Sequence, residues 1–111
     1  MAAPRTPYKE NIKSITVTAT GSTYLNEYDS GVVFVSNTTT HSIMLPPVAS
    51  SAGVRLQFCN VSTHTLAITL DANGSEMING AATYASMDAA YDSAELVCNG
   101  SAWFVVDAKI A

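Results

Sequence analysis

Hydrophobic and polar residues alternate along short stretches of this chain, which is the pattern of β-strands with one buried face. In the stretch SITVTAT, Ile15, Val17 and Ala19 lie on one face and hydroxyl side chains lie on the other. The same period of two recurs in HSIMLPP, VRLQFCNV and LAITLD. The stretch GVVFVSN is more continuously apolar and predicts a strand that is buried on both faces.

Turn-forming residues close each of these stretches, and the stretches recur at about the ten-residue interval of a small sandwich or barrel. The stretches AELVCN and AWFVVDAKI predict a closing hairpin, joined through Asn99, Gly100 and Ser101. The segment SMDAAYDSAE is too short for a stable helix and is predicted to be a loop. The whole pattern predicts an all-β fold: a single compact antiparallel β-sandwich or barrel-like domain.

The first 13 residues differ from the rest of the chain. Arg5, Lys9 and Lys13 stand against one acidic residue, so residues 1–13 carry a net charge of +2. Residues 14–111 hold two basic and eight acidic residues, a net charge of −6. Two prolines favour extended backbone near the N-terminus, and no apolar period gives this segment a core face. We therefore expect an extended basic N-terminal arm, residues 1–13, and an acidic β domain, residues 14–111.

Charge and hydropathy exclude several classes of partner. An acidic body lacks the basic face that nucleic-acid binding needs, so no nucleic-acid partner is expected. No stretch reaches the ~18 apolar residues of a membrane-spanning helix, so no membrane partner is expected. The basic N-terminus is not followed by the apolar segment of a secretory signal. The sequence predicts a protein that is soluble as made, with nothing to export it.

The stretch LDANGSEMING has acidic and amide side chains in close succession and resembles a cation-binding loop at first sight. An EF-hand loop places its glycine at the sixth position, whereas Gly74 is fourth from Asp71. Asn73-Gly74 and Asn79-Gly80 are strong signals for tight turns, because both residue types tolerate positive φ. Turn formation is therefore the preferred interpretation, and no metal site is predicted.

No motif predicts catalysis. His41 and His64 lie in Thr- and Ser-rich turns without a nucleophile elbow, and a triad built from Asp29, His64 and Ser93 would need distant residues to converge. The two cysteines and two histidines lack the spacing of a zinc site. The protein is expected to be no enzyme, with no catalytic residue, no cofactor and no metal.

Three acidic residues, Asp88, Asp92 and Glu95, are predicted to form a solvated rim, because no apolar pocket surrounds them. Cys59 and Cys98 lie in apolar contexts and are interpreted as buried thiols. A disulfide between them stays open, since sequence does not place the two sulfur atoms within reach of each other.

The order of the elements resembles a small β domain of tailed-phage virion proteins, which occurs in capsid decoration proteins and in head or tail fibres. The family's pattern combines an Asp-Ser-Gly turn, a proline-ended strand, a strand of the FTFVN type, an Asn-Gly double turn and a final hairpin. The matching segments here are residues 29–31, 43–46, 54–60, 68–81 and 95–106. Two departures are Ala72, where proline is common, and SMDAAYDSAE, which replaces a shorter turn that contains glycine.

The resemblance implies a non-enzymatic virion component that is usually a homotrimer. A fibre-tip domain normally ends a long chain with a stalk, so 111 residues favour a decoration protein. The expected function is that of a phage capsid decoration (cement) protein, which binds the outer surface of the assembled shell and stabilises it. The expected partners are the major capsid protein and further copies of the chain. The expected location is the capsid exterior, after synthesis in the host cytoplasm.

Contact with the shell is assigned to the arm. Arg5, Lys9 and Lys13 are candidates to pair with shell carboxylates, and Tyr8 and Ile12 are candidate apolar anchors. A frayed, solvated N-terminus is the alternative interpretation of the same residues.

The second function considered is a receptor- or glycan-binding tip domain of a phage fibre. Tyr24, Tyr28, Tyr84 and Tyr91, with nearby Asp and Asn residues, are candidates for a shallow sugar site. Packing of some of these tyrosines at strand ends is the simpler interpretation.

Overall fold

The computed structural model describes residues 11–17, 21–37, 39–62 and 68–110. Within these ranges the chain forms nine β-strands and one short 3-10 helix, and the predicted all-β class is confirmed. The strands are β1 Ile12–Val17, β2 Ser22–Tyr24, β3 Gly31–Asn37, β4 His41–Met44, β5 Arg55–Asn60, β6 Ile68–Asp71, β7 Thr83–Met87, β8 Ser93–Cys98 and β9 Trp103–Lys109. The 3-10 helix is Val48–Ser50.

Successive strands alternate between two sheets through the first six strands. Sheet A has the order β1-β3-β5-β8-β9, and sheet B has the order β2-β4-β6-β7. Strands β1, β3 and β5 pair in parallel, and so do β2, β4 and β6. Each of the strands β1 to β4 therefore pairs with the second strand after it, and this part of the chain winds as a coil with two sheets.

The register gives the length of each turn of this coil. Ile12 pairs with Val32, and Val32 pairs with Gln57, so successive turns take 20 and 25 residues. Strands β1 and β2 form the first turn, and both are edge strands of their sheets. The first turn therefore lies at one end of the coil, with an outer strand edge in each sheet.

One hydrophobic core contains buried residues from both sheets. The predicted alternation is confirmed in β5, where Leu56 and Phe58 are fully buried, and after β4, where Leu45 is buried. In β3 the side chains of Val33 and Val35 are buried, whereas the intervening side chains are half-buried. The sequence predicted that both faces of GVVFVSN are buried. One face is fully buried, whereas the other face is only half-buried, because that side of sheet A is partly open to solvent.

Antiparallel pairing is confined to the C-terminal part of the fold. Strand β7 pairs with β6, β8 pairs with β5, and β9 pairs with β8, all antiparallel. The predicted closing hairpin is confirmed: Cys98 pairs with Trp103 and Asn99 Oδ1 accepts hydrogen bonds from the backbone of Ser101 and Ala102. The prediction of antiparallel pairing throughout is corrected, because period-two alternation reports which face is buried and not the strand direction.

Trp103 connects the closing hairpin to the rest of the core. Its side chain is fully buried, and its indole Nε1–H donates a hydrogen bond of 3.3 Å to the carbonyl oxygen of Pro46. Its backbone N–H donates to Met77, and its carbonyl accepts from Asn79. One residue thus ties β9 to the segment after β4 and to the 77–79 loop.

The Asn-Gly pairs of LDANGSEMING form turns, as predicted. Asn79 and Gly80 both have positive φ, 51° and 81°, and two backbone hydrogen bonds join Ile78 and Ala81 across them. Glu76 accepts a hydrogen bond from the backbone N–H of Val48, so its carboxylate is used to hold a loop.

A buried polar corner joins the ends of β3 and β5. The Ser62 hydroxyl accepts a hydrogen bond from the backbone N–H of Asn37 and donates one to the Asn37 side chain. The backbone N–H of Ser62 donates to Asn60 Oδ1 at 3.0 Å. All three residues are almost inaccessible to solvent, so these hydrogen bonds offset part of the cost of burying their polar groups. Asn60 Nδ2 has no hydrogen-bond partner among the described residues.

Strands β2 and β7 were not predicted from the sequence. Strand β2 has three residues, too few to show a period of two, and β7 has the sequence TYASM, which is poor in β-branched residues. The loop predicted for SMDAAYDSAE is partly correct, since β7 extends to Met87 and β8 begins at Ser93.

Candidate partner-binding surface

An exposed surface forms where the chain enters the first turn of the coil. Ile12 is 68% exposed at the start of β1, and Tyr28 is 83% exposed in the loop between β2 and β3. Lys13 and Asp29 lie beside them and form an ion pair with a distance of 3.5 Å between Nζ and Oδ1. We call these four residues, Ile12, Lys13, Tyr28 and Asp29, the first-turn patch.

The position of Tyr28 is fixed by hydrogen bonds within its loop. The backbone N–H of Asn26 donates to Asp29 Oδ2, and the backbone N–H of Asp29 donates to the carbonyl of Asn26, both at 2.9 Å. Asn26 Oδ1 in turn accepts from the backbone N–H of Tyr28 at 2.9 Å. A short polar turn of this kind presents the phenol ring to solvent without a large loss of backbone entropy on binding.

A half-open pocket of about 300 Å³ lies between these residues. Its walls include all four members of the first-turn patch and reach the core residue Val33. Asp29 uses one carboxylate oxygen for its own turn and the other for Lys13, so the patch has no uncompensated charge. Since an exposed ion pair contributes about 0–1 kcal/mol, binding here would depend mainly on the two apolar side chains.

The structure brings together two of the five residues predicted to contact the shell. Ile12 and Lys13 both lie in β1, in parallel register with Val32 and Val33. They therefore begin the sheet, although the sequence placed them at the end of the arm. The other three, Arg5, Tyr8 and Lys9, lie outside the described residues.

Tyr28 was missing from the predicted shell contacts and was considered only for the glycan site. The spacing of Asn26 and Asp29 is typical of a tight turn, and a residue between them, such as Tyr28, is expected to be exposed.

The four tyrosines of the possible sugar site do not share one surface. Tyr24 lies on β2 and Tyr84 on β7, which are opposite edges of sheet B. Tyr84 is half-buried against the core, whereas Tyr24 is 71% exposed. Tyr91 lies just before β8, at the other end of sheet A from Tyr28, because the chain direction of β8 is opposite to that of β3.

Two of the three residues considered for a catalytic triad, Asp29 and Ser93, lie far apart in the described chain. Asp29 precedes β3 and Ser93 begins β8, so they lie near opposite ends of sheet A, and His64 is outside the described residues. His41 Nε2 lies 2.7 Å from the Thr23 hydroxyl. In the described ranges no three His, Cys, Asp or Glu side chains form a group able to hold a metal ion.

The three acidic residues of the predicted rim differ in their exposure to solvent. Asp88 is exposed, but Asp92 is buried and accepts a hydrogen bond from the backbone N–H of Ala89. Glu95 is half-buried and forms an ion pair with Arg55 across β5 and β8. The prediction of a solvated rim is therefore wrong for Asp92, because its carboxylate closes a turn inside the fold.

Both cysteines are free thiols. Cys98 is fully buried on the core face of β8, whereas Cys59 is half-buried on the other face of sheet A. Burial raises the pKa of the Cys59 thiol and so lowers its thiolate fraction near neutral pH. Because the two side chains lie on opposite faces of one sheet, a disulfide would require the backbone to rearrange.

Tyr91 has a backbone conformation that favours glycine. Its φ is +66°, and its ring is 73% exposed, so no core packing compensates for the strain. The turn is held by hydrogen bonds from the backbone N–H of Tyr91 to Asn60 and from that of Asp92 to Ala89.

We expect Tyr91→Gly to stabilise the fold by about 0.5–1 kcal/mol, because relief of the left-handed strain exceeds the added entropy of the unfolded chain. The midpoint of thermal unfolding should rise by a few degrees, on the order of 4 °C. Tyr91→Ala is the matched control: it removes the same ring but keeps the Cβ, and it should give no such rise. An equal rise for both variants would assign the effect to the ring.

The described residues contain no helix with the length and apolar composition needed to cross a membrane. The chain matches no protein-family model and no curated protein.

Proposed function

We propose that this protein is a phage capsid decoration protein, which binds the outer surface of the assembled shell and stabilises it. The observation that supports this most directly is the first-turn patch: two exposed apolar side chains, Ile12 and Tyr28, on ordered backbone where the basic arm joins the domain. A tyrosine displayed on an ordered turn is the kind of residue that contributes most to protein interfaces. The resemblance to virion domains supports the same class of function.

Stabilisation would follow from mass action. A protein that binds the assembled shell, and not the separated shell subunits, lowers the free energy of the assembled state by RT ln(1 + [L]/Kd) for each site. The domain supports this contact, since the patch residues Ile12 and Lys13 pair with β3 and the pocket between the patch residues reaches the core residue Val33.

A homotrimer is part of the proposal. Three copies would present three arms and three first-turn patches to the shell at once. When one copy has bound, the others rebind at a high effective concentration, so weak individual contacts suffice. The electrostatic part of binding would come from Arg5, Lys9 and Lys13, and its contribution would decrease as salt is raised.

The test is binding of purified variants to empty capsids, measured as occupancy by co-sedimentation. Tyr28→Ala should weaken binding by about 2 kcal/mol, or roughly 30-fold in Kd, if Tyr28 is an anchor of the interface. Tyr91→Ala is the control, because it removes a similarly exposed tyrosine at the other end of sheet A. Undiminished occupancy by Tyr28→Ala would remove the first-turn patch from the interface.

The arm is tested separately by deleting residues 1–10, which leaves β1 intact. Weaker binding at low salt, with a smaller salt dependence, would assign the arm's lysine and arginine side chains to shell contact. Specific binding of the intact protein to a glycan array, together with no co-sedimentation with capsids, would instead support a fibre-tip receptor module.

A further inference from the structure

The second half of β9 is an open sheet edge. The first half is covered by the 77–79 loop. The Trp103 backbone donates to the Met77 carbonyl and accepts from the Asn79 N–H, and the backbone N–H of Val105 donates to Asn79 Oδ1 at 3.0 Å. From Val106 to Ile110 every residue is exposed, and among the described residues the backbone of this segment has hydrogen-bonding partners on β8 alone. Unpaired strand edges of this kind are sites for pairing with another strand.

The charges on this segment are self-complementary. If two copies paired antiparallel about Ala108, Asp107 of each copy would lie opposite Lys109 of the other. The same register would set Val106 opposite Ile110, which are 54% and 42% exposed in the single chain. A two-fold axis makes each of these contacts twice, as in any isologous interface.

The surroundings of Asp107 make a cation from a second copy favourable. Asp107 lies directly opposite Glu95 in the β8–β9 register, a like-charge pair on one face of the sheet. Arg55 already pairs with Glu95, and no ion pair to Asp107 or Lys109 occurs among the described residues. Arg55 therefore offsets the charge of Glu95, and a lysine from a second copy would give Asp107 a cationic partner of its own.

We propose that two copies of this protein associate through antiparallel pairing of residues 106–110 of β9 about a two-fold axis at Ala108. The pairing joins sheet A of one copy to sheet A of the next as one continuous sheet. It is a contact separate from the three-fold contacts of a homotrimer, and it needs no shell protein. Natural edge strands are often protected by charges of one sign or by a bulge. The β8–β9 register has an irregularity at Val106, at the start of the segment, but residues 107–109 pair with β8 in regular register. Their alternating acid and base permit self-pairing.

A five-residue strand pair is smaller than a stable interface, so the contact is weak for free copies and is best detected by trapping it. Ala108→Cys places one thiol of each copy next to the two-fold axis. Directly opposed residues of antiparallel strands have Cα atoms about 4.5–5.5 Å apart, within the range that a disulfide spans. Mild oxidation should therefore give a covalent dimer of this variant on a non-reducing gel.

Ala85→Cys is the matched control, because Ala85 is an exposed alanine on β7, the edge strand of the other sheet. The chain without an added cysteine shows how much crosslinking Cys59 and Cys98 give by themselves. Crosslinking of Ala108→Cys that is no faster than that of Ala85→Cys would overturn the proposal.

Charge reversal tests the register. In the Ala108→Cys background, Asp107→Lys or Lys109→Asp alone sets like charges opposite each other twice, and crosslinking should slow about tenfold. The double reversal, Asp107→Lys with Lys109→Asp, should restore the rate. A mixture of the two single variants should form the mixed dimer faster than either forms its own. Equal rates for all of these variants would exclude the proposed register.

Discussion

Gly31→Ala is expected to be among the most destabilising single-methyl substitutions in this protein. Gly31 has a φ of +99°, in the left-handed region, which costs an L-residue about 1–2 kcal/mol. A Cβ at this position would also overlap the backbone carbonyl oxygen of Asn11 and lie 3.1 Å from its nitrogen. That carbonyl accepts the hydrogen bond from Val32 that begins the β1–β3 pairing. Strain and displacement of β1 together should cost about 2–5 kcal/mol.

Gly53→Ala separates the two contributions. Gly53 also has a left-handed φ, +83°, but no atom lies within 4 Å of its added Cβ. Only the backbone strain therefore lowers the free energy of unfolding in this variant. Urea unfolding of both variants gives the comparison directly, as the difference in the free energy of unfolding. If Gly31→Ala were no more destabilising than Gly53→Ala, close approach of the β1 backbone would not be the reason for glycine at position 31.

The same substitution has a second expected result. Because β1 contains half of the first-turn patch, the proposed binding to empty capsids should weaken, when β1 is displaced, by more than the loss of global stability explains. Hydrogen exchange should show faster exchange of β1 amides in Gly31→Ala, while β8 amides keep their protection at a matched temperature.

Trp103→Ala is the second substitution with a large expected effect. Removal of the fully buried indole leaves a cavity in the core and deletes the hydrogen bond to Pro46. A Trp-to-Ala truncation in a core costs about 3–5 kcal/mol, a large part of the 5–15 kcal/mol by which a domain of this kind is stable. The variant should unfold at a much lower urea concentration or fail to fold at 37 °C.

Phe104→Ala provides the matched control, because Phe104 is the next residue on β9 and is 42% exposed on the other face of sheet A. Its loss should cost about 1 kcal/mol. Trp103→Phe retains most of the volume, but leaves the Pro46 carbonyl without its donor, so an intermediate cost of about 1–3 kcal/mol is expected. Similar midpoints for Trp103→Ala and Phe104→Ala would contradict the central position of Trp103 in the core.

The sequence was sufficient to predict which faces of the strands are buried. Alternation in VRLQFCNV identifies Leu56 and Phe58 as core residues, and both are fully buried. Strand direction was not predictable in the same way, because a parallel and an antiparallel strand have the same alternation. The turn signals at Asn79-Gly80 and Asn99-Gly100 did mark antiparallel connections, and the connections between the sheets carry no comparable signal.

The candidate binding surface was predictable only in part. Charge identified the arm and Lys13, but exposure of Ile12 and Tyr28 depends on the pairing of β1 with β3 and on the turn at Asn26, which bring the two side chains to one pocket. The backbone strain at Tyr91 was also not predictable from the sequence, because its positive φ angle is set by the folded turn.

The coiled arrangement of the first six strands has a consequence for how such a chain changes length in evolution. A segment of 20 to 25 residues is one complete winding, with one strand for each sheet. Duplicating or deleting such a segment would lengthen or shorten the stack by one layer and leave the C-terminal hairpin in its place. Homologues that differ by multiples of this unit are therefore expected to conserve the hairpin and to differ in the length of the coil.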